Sequence, residues 1–470
     1  MSNDDIVWKV GSPIPIELEN GGDPFSDCLV PRKCRIRIDD ERAASFLVVP
    51  HPLLPFDIYV LLGMIAWLSV DNENVALLEG YSGCAYTPPS LFFASSAIPV
   101  DFLEKLKETK VCTISNITVR DSPQSIEKAY SWPAPTSHKF SELGLLTNEH
   151  KKGFPCAVAS SPIQMFCSLE NFVELDDEGK ESIIVLVVES FFISKSVLSP
   201  PTEEMKKRPN VVAKIDAALI QPVVSLGGGK ICRLKNIHSM PRPVKAEDGM
   251  SWTSTDFDLA SPSLGEGNFQ SVEWNFREHG GTSPLGYNAV TALLMPRPIG
   301  WISTYHTTAD GQRLSHLAPY SFFSNVSRSM DNPMVAFSGY RKDNGATPKD
   351  AQNDAEKSKC FSYNMVTQEL AVQMNLSAAE LPREGSEFEL SGLRVKEASF
   401  VETPTVEDSP VRFECQYVKS VPIGSFSIVV GKVVAVSVHK RVITDKRVDP
   451  SKLKPITRMG FMDEYGSLEV

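Results

Sequence analysis

Two short runs hold most of the residues in this chain that could do chemistry together. The first is Arg297-Pro298-Ile299-Gly300-Trp301-Ile302-Ser303-Thr304, and the second is Leu317-Ala318-Pro319-Tyr320-Ser321-Phe322-Phe323. A turn, Thr347-Pro348-Lys349-Asp350, follows them. A phosphate ester needs cations together with hydroxyl or amide donors. A planar ring attached to it needs backbone hydrogen bonds at its edge and apolar cover on its faces. The three stretches offer those groups in compact order. A Ser-Thr pair alone is ordinary strand decoration, and a lone lysine in a turn is ordinarily a solvated charge, so it is the joint occurrence that points to a ligand. His306 and His316 lie near the same runs and read as surface residues rather than proton donors.

The elements that must position these groups are strands. Short apolar runs alternate with turn residues, as in the β-branched stretch from Ser425 to Val438. Small closed barrels suit such sequences because closure removes the exposed edges. Helical signal is limited to segments such as Asp350 to Lys359.

The chain also carries one ordered series of landmarks twice. Trp67-Leu68-Ser69 matches Trp301-Ile302-Ser303, and Tyr81-Ser82 is set against Tyr320-Ser321. The run Pro89 to Ser95 stands where the second copy has Pro333 to Ser338. Charged helix-like runs, Lys105 to Lys110 and Glu356 to Lys359, lead into strands ending at Asn116 and Asn364. Further on, Phe140 with Gly144-Leu145 echoes Phe388 with Gly392-Leu393, and Ser161-Pro162 with Cys167 echoes Ser409-Pro410 with Cys415. Ile183 to Phe192 and Ile428 to Val438 are matching strand runs, and Lys214-Ile215-Asp216 mirrors Arg447-Val448-Asp449. Any one pairing is chance-level, but the shared order implies a tandem duplication. Between the copies, roughly Pro241 to Pro284, the composition turns to Ser, Gly, Pro and acidic residues and suits an extended connector. Its Met240-Pro241-Arg242-Pro243 is similar to Met295-Pro296-Arg297-Pro298 but precedes no hydroxyl-bearing strand, so it counts as connector.

From about Tyr287 onward the chain resembles the flavin-reductase-like family of FMN-binding split barrels, in its "PRPIGWIST" or flavoredoxin-like branch. The resemblance rests on Met295 to Thr304, Leu317 to Ser327, Pro348-Lys349-Asp350 and Asn364. It continues through Glu387-Phe388 with Gly392-Leu393, Ser409-Pro410 with Glu414-Cys415, and Arg458-Met459-Gly460 with Tyr465. It implies a mainly β fold: two tandem split barrels with a few short helices, forming an intramolecular pseudo-dimer. Residues 1–239 would be a degenerate flavin-reductase-like barrel, 240–285 a linker and 286–470 the FMN-binding barrel. The resemblance also implies residue roles. Ser303 and Thr304 would donate to the FMN phosphate or ribityl chain, and Lys349 would pair the phosphate while Asp350 fixes the turn. Ala318, Pro319, Tyr320, Ser321 and Phe322 would run along the ring edge beside Trp301, with Arg297 and Arg458 as nearby cations. The branch carries threonine after the Lys-Asp pair, whereas Ala351 stands here, and Arg341 to Gly345 brings cations of its own.

Matched position by position, the first copy has lost these groups. Gly63 stands for Arg297, Val70 for Thr304, Ser225 for Arg458 and Gly83 for Phe322, while Asp101 is the nearest counterpart of Lys349. The expectation is a first barrel without flavin and one FMN per chain. The fused pair would form within one molecule the dimer that such barrels usually make from two, so that the first barrel supplies one wall of the pocket.

Composition narrows the function classes. With 470 residues the chain is too long for one ordinary core, and 42% hydrophobic with 22% charged residues is globular. Lys+Arg 47 against Asp+Glu 58 gives a net charge of -11, a poor balance for nucleic acid. The nine cysteines (28, 34, 84, 112, 156, 167, 232, 360 and 415) include no CxxC pair and no zinc spacing, and read as reduced, buried thiols. The N-terminus MSNDDIVWKV has no signal-peptide pattern, and the longest apolar stretch, Ile58 to Val70, is too short to span a bilayer. A cytoplasmic protein without membrane or metal is expected. No Ser-His-Asp triad, P-loop or GxGxxG motif occurs. The leading function is an FMN-dependent oxidoreductase taking electrons from NAD(P)H to a flavin, metal complex or other small acceptor, with no catalytic side chain named. Two alternatives stand beside it: a flavin-binding sensor or scaffold without turnover, and a haem-binding split barrel.

Overall fold

The computed structural model describes residues 5–9, 63–130, 134–176, 179, 181–207, 211–227, 230–245, 252–253, 258–259, 271–275, 285, 289–327, 329, 332–342, 346–444, 447–460 and 463–468. Cys28, Cys34, most of the connector and Asp343 to Gly345 lie outside them.

Alternation builds the first barrel. In β1 (Gly63–Ser69), Met64, Ala66 and Leu68 enter the barrel core, while Ile65 and Trp67 pack into a second apolar layer outside it. Both faces are covered, so the whole strand is buried. It pairs with β2 (Asn74–Tyr86), which pairs with β3 (Pro89–Ala94). Helix α1 (Val100–Thr109) starts after Pro99 and stops at Lys110, which is left-handed at φ 62°. Its Phe102 and Leu106, four residues apart, drop into the barrel core, each contributing about 1.5–3 kcal/mol by burial. β4 (Val111–Asn116), β5 (Ile163–Glu174) and β6 (Ser182–Ile193) complete the ring. The antiparallel order β1-β4-β5-β6-β3-β2 returns to β1, a closed six-stranded barrel. A hairpin, β7 (Val223–Gly227) and β8 (Lys230–Ser239), extends it.

The second barrel repeats this plan. Its strands are β9 (Gly300–Thr307), β10 (Arg313–Tyr320), β11 (Phe322–Asn325) and β12 (Met334–Tyr340). After helix α2 (Asp350–Ser358) come β13 (Cys360–Asn364), β14 (Val411–Ile423) and β15 (Phe426–His439). The order is β10-β9-β13-β14-β15-β12-β11, an open half-barrel path whose end strands β10 and β11 are parted in sequence by Ser321 alone. The hairpin β16 (Ile456–Arg458) and β17 (Glu464–Leu468) follows. Strand Asp5–Lys9 pairs with β15, and strand Val272–Asn275, within the connector, pairs with β6.

Matching details recur at matching places. Both helices end on a left-handed lysine, Lys110 and Lys359. Asp216 and Asp449 each cap a short helix by accepting from the amide two residues on. Thr118 bridges Pro222 as Thr367 bridges Pro455.

Register corrects three of the sequence pairings. Trp67 lies opposite Leu77 as Trp301 lies opposite Pro319, which sets Leu78 against Tyr320 and Gly80 against Phe322. Tyr81-Ser82 therefore corresponds to Phe323-Ser324, not Tyr320-Ser321, and Gly83 corresponds to Asn325. On β4 it is Ser115, not Asn116, that matches Asn364: Ser115 faces Trp67 and Asn364 faces Trp301. Both accept an amide hydrogen, from Val158 at 3.1 Å and from Val406 at 2.8 Å. Counting back from the two lysine caps sets Val100 opposite Lys349 and Asp101 opposite Asp350. The first copy has lost that cation, but its sign is not reversed.

The barrels meet along β2, β11 and β12. Phe322, Val326, Met334 and Ala336 share one apolar cluster with Cys84, Phe92 and Ile183 of the first barrel. Ser324 and Ser338 donate across the seam to the carbonyls of Gly80 (2.9 Å) and Cys84 (2.6 Å). All seven described cysteines are buried and outside any disulfide. Among the described residues no helix is long and apolar enough to cross a membrane.

Candidate functional site

The strand register brings the two sequence runs side by side. Gly300 to Thr304 lies against Tyr320 to His316, with Trp301 opposite Pro319 and Ile302 opposite Ala318. Because strand faces alternate, Ser303 and Thr304 point to opposite sides. Ser303 shares its side with Trp301. Its hydroxyl donates to the Pro404 carbonyl at 2.6 Å and accepts from Asn364 Nδ2 at 3.0 Å, while the Trp301 indole donates to Ser377 at 2.9 Å. Thr304 shares its side with Ile302 of the barrel core, is fully buried, and its hydroxyl has no partner among the described residues.

Helix α2 closes the same end of the barrel. Ala351 and Ala355 sit in the core where the first barrel has Phe102 and Leu106. Tyr320 packs on Phe337 with ring centroids 4.7 Å apart, and its buried hydroxyl also lacks a partner among the described residues. Burial, with the charges of Asp350, Glu387 and Asp354, pushes that phenol well above its ordinary pKa. Gly339 is needed here, because any Cβ would collide with the Tyr320 ring. Two buried, unsatisfied hydroxyls are costly unless something meets them.

Lys349, just before α2, keeps contact with solvent. Partial desolvation, with Lys342 and Arg242 nearby, holds its ammonium below the ordinary value against the pull of Glu380 and Asp350. Asp350 is taken by Lys342 and Arg383, both at 2.7 Å. Arg341 donates to the Ala346 carbonyl at 2.8 Å.

Arg297 and Arg458 sit elsewhere in function. Arg297 is buried and donates to the carbonyls of Thr291, Leu294 (3.0 Å) and Met459 (2.6 Å). Burial pushes it down to about 10. It clamps the chain entering β9 to β16, where its backbone exchanges two 2.8 Å bonds with Arg458. Arg458 bonds and stacks on Tyr465. In the first barrel the same bridge joins Gly63 and Ser225.

At the seam, Phe322 lies 5.2 Å from Tyr86 of the first barrel, and both approach Phe426. Tyr340, partly exposed, extends the group over Phe426 and leads directly into Arg341-Lys342. An aromatic shelf thus runs into the cationic turn. Ser321, which belongs to neither ladder, marks the break between β10 and β11.

The surface reading fails for His316, while His306 stays partly exposed. His316 is 4% exposed, bonded through Nδ1 to Asp354 at 3.2 Å and through Nε2 to the Arg383 carbonyl at 3.1 Å. His306 stacks on it at 5.5 Å. The partners come from α2 and a loop 67 residues away, so no local signal announced them.

The sequence profile described as "Flavin reductase like domain" matches residues 292–449. An uncharacterised protein of Aquifex aeolicus is 34% identical over 175 residues, covering 37% of this chain and 86% of the relative. The chain belongs to the flavin reductase like family. A second family relative, an uncharacterised Deinococcus radiodurans protein, is 34% identical over 183 residues, 38% of this chain and 79% of its own. Among solved structures, nitrilotriacetate monooxygenase component B from Bacillus cereus is 27% identical over 39% of this chain and 90% of that one, with a TM-score of 0.36. Flavoredoxin of Desulfovibrio vulgaris is 16% identical over 37% and 88%, with a TM-score of 0.33. The matched profile lies on the second barrel, β9 to β15, which carries the turn, the shelf and the two orphaned hydroxyls.

Proposed function

We propose that this protein is an FMN-binding oxidoreductase of the flavin-reductase type, holding one FMN in residues 286–470. The observation that carries the reading is the pair of buried hydroxyls, Thr304 and Tyr320, without a partner among the described residues of the flavin reductase like domain that also carries Lys349. The donor set fits the group. Lys349 and Lys342 offer charge to a phosphate, Thr304 a hydroxyl, and the shelf of Phe322, Tyr86, Phe426 and Tyr340 apolar cover for a ring. Bound FMN supplies two-electron chemistry between an NAD(P)H donor and an acceptor such as a second flavin or a metal complex. Ser303 and Arg297 hold the barrel in shape, and β10 with Ser321 orients the ring edge.

The first barrel, a diverged duplicate in this reading, holds no flavin and contributes Tyr86 as one wall. Val100 stands in it for Lys349, Gly63 and Ser225 for the two arginines, and Val70 for Thr304. Phe102 and Leu106 fill the volume that Ala351 and Ala355 leave.

The visible spectrum of the purified full chain, with cofactor extraction, tests this. Flavin bands, FMN on release and a ratio near one per chain are expected, with NADH or NADPH oxidation on adding an acceptor. A ratio near two would overturn the account of the first barrel. Protein that stays colourless after reconstitution, with Lys349 intact or substituted, would overturn the whole reading, and haem bands would replace it.

A further inference from the structure

The buried charges beside α2 form a chain that the proposed chemistry does not use. Asp354 has a side chain 2% exposed, so its carboxylate must be satisfied by protein. One oxygen accepts from His316 Nδ1 at 3.2 Å, and the other is held by Arg383 Nη2. The same guanidinium reaches Asp350 Oδ1 with Nη1 at 2.7 Å, while Lys342 takes Asp350 Oδ2 at 2.7 Å. Asp350 and Asp354 are one helical turn apart, and the planar fork of an arginine spans both carboxylates where a lysine could meet one.

His316 locks the loop that carries Arg383. Both of its ring nitrogens face acceptors, the Asp354 carboxylate and the Arg383 carbonyl, and only the doubly protonated imidazolium donates to both. Neutral His306 accepts from Arg383 Nη2 at Nδ1, 3.0 Å away. Charge then alternates along His316, Asp354, Arg383, Asp350 and Lys342, with Glu387 facing His316 from its own helix.

The consequence falls on Lys349. Asp350 is its chain neighbour and would be its natural partner, yet both Asp350 oxygens are already engaged. Lys349 has no ion-pair partner among the described residues. We propose that Arg383 is a positioning residue for the phosphate end of the flavin site: by occupying Asp350 and fixing the first turn of α2, it leaves Lys349 to an external phosphate. The inference rests on the flavin reading above.

The test compares FMN with riboflavin, which lacks the phosphate, as ligands of the flavin-free full chain. Arg383→Gln should weaken FMN about ten-fold and leave riboflavin within about two-fold. Adding Asp350→Asn to that variant should restore FMN affinity, because the competing carboxylate is gone. Should Arg383→Gln fail to fold, Arg383→Lys, which keeps one of the two contacts, should show a smaller loss confined to FMN. Equal weakening of both ligands, or of neither, would overturn the positioning role. Wild-type protein that binds neither flavin would instead remove the flavin reading itself.

Discussion

Leu234 faces Leu468 across the antiparallel pair of β8 with β17, and the two residues occupy the same position in their respective barrels. The equivalence follows from the hairpins: Val223 faces Arg233 as Ile456 faces Ser467, one residue before each leucine. An antiparallel pair between equivalent positions marks an approximate two-fold axis. The seam obeys the same axis. Gly80 meets Asn325 while Gly83 meets Phe322, and Gly80 corresponds to Phe322 as Gly83 does to Asn325. These are the reciprocal contacts of an isologous interface, made within one chain.

That seam is tight enough to test. A Cβ on Gly83 would overlap the buried Phe322 ring, which the Tyr86 and Phe426 rings hold in place. Gly83→Ala should cost about 1–3 kcal/mol in denaturant unfolding. Phe322→Leu in the same chain should recover part of it, and additive losses would show that the two residues do not meet.

Thr304→Val should separate folding from binding. The change removes a buried hydroxyl that has no partner and keeps the shape, so the flavin-free protein should be unchanged or stabilised by up to about 1 kcal/mol. FMN affinity should fall about ten-fold, because a donor to the ligand is lost. Calorimetric melting and flavin titration read the two effects, and a destabilised flavin-free protein would mean the hydroxyl has a structural partner.

Arg297→Lys should act on stability first. Lysine cannot reproduce the fork that meets three carbonyls, so about 2–4 kcal/mol should be lost. A loss under about 0.5 kcal/mol would show that the clamp is not what joins the β9 entrance to β16.

His316 makes stability depend on pH in a definite direction. Burial opposes its charge, but the Asp354 bond and the charges of Glu387 and Asp354 outweigh burial and raise its pKa. A folded value above the unfolded one of about 6.5 gives a contribution that is complete below that pH and lost as pH rises through the folded value. The stability gap between wild type and His316→Asn should therefore be widest near pH ~6 and narrow above it. A gap that stays constant with pH would show that the imidazole does not titrate in this range.

Much of the fold was legible because it is local or periodic. Alternation in Ile428 to Val438 marks a strand wherever the partner lies, and the ordered landmarks give two copies without any contact being known. The motif runs read as strands, and the structure pairs them as the hairpin β9–β10. The errors arose where a register shift or a distant partner decided. Tyr81-Ser82 matched Tyr320-Ser321 by letter, but the ladders pair strands by backbone geometry and set them against Phe323-Ser324. Ser303 and Thr304 looked alike as donors, and the two-residue period of the strand sent one to Asn364 and left the other without a partner.

The sequence by itself determined the mainly β plan and the flavin reductase like character of the second barrel, because residue type and order carry those. The tertiary structure alone decided what each polar group spends its bonds on. Arg297 went to three carbonyls, His316 was buried against Asp354, and Arg383 paired with both Asp350 and Asp354. Such choices depend on which groups from remote segments arrive within hydrogen-bond reach of a buried charge, and no local pattern encodes that.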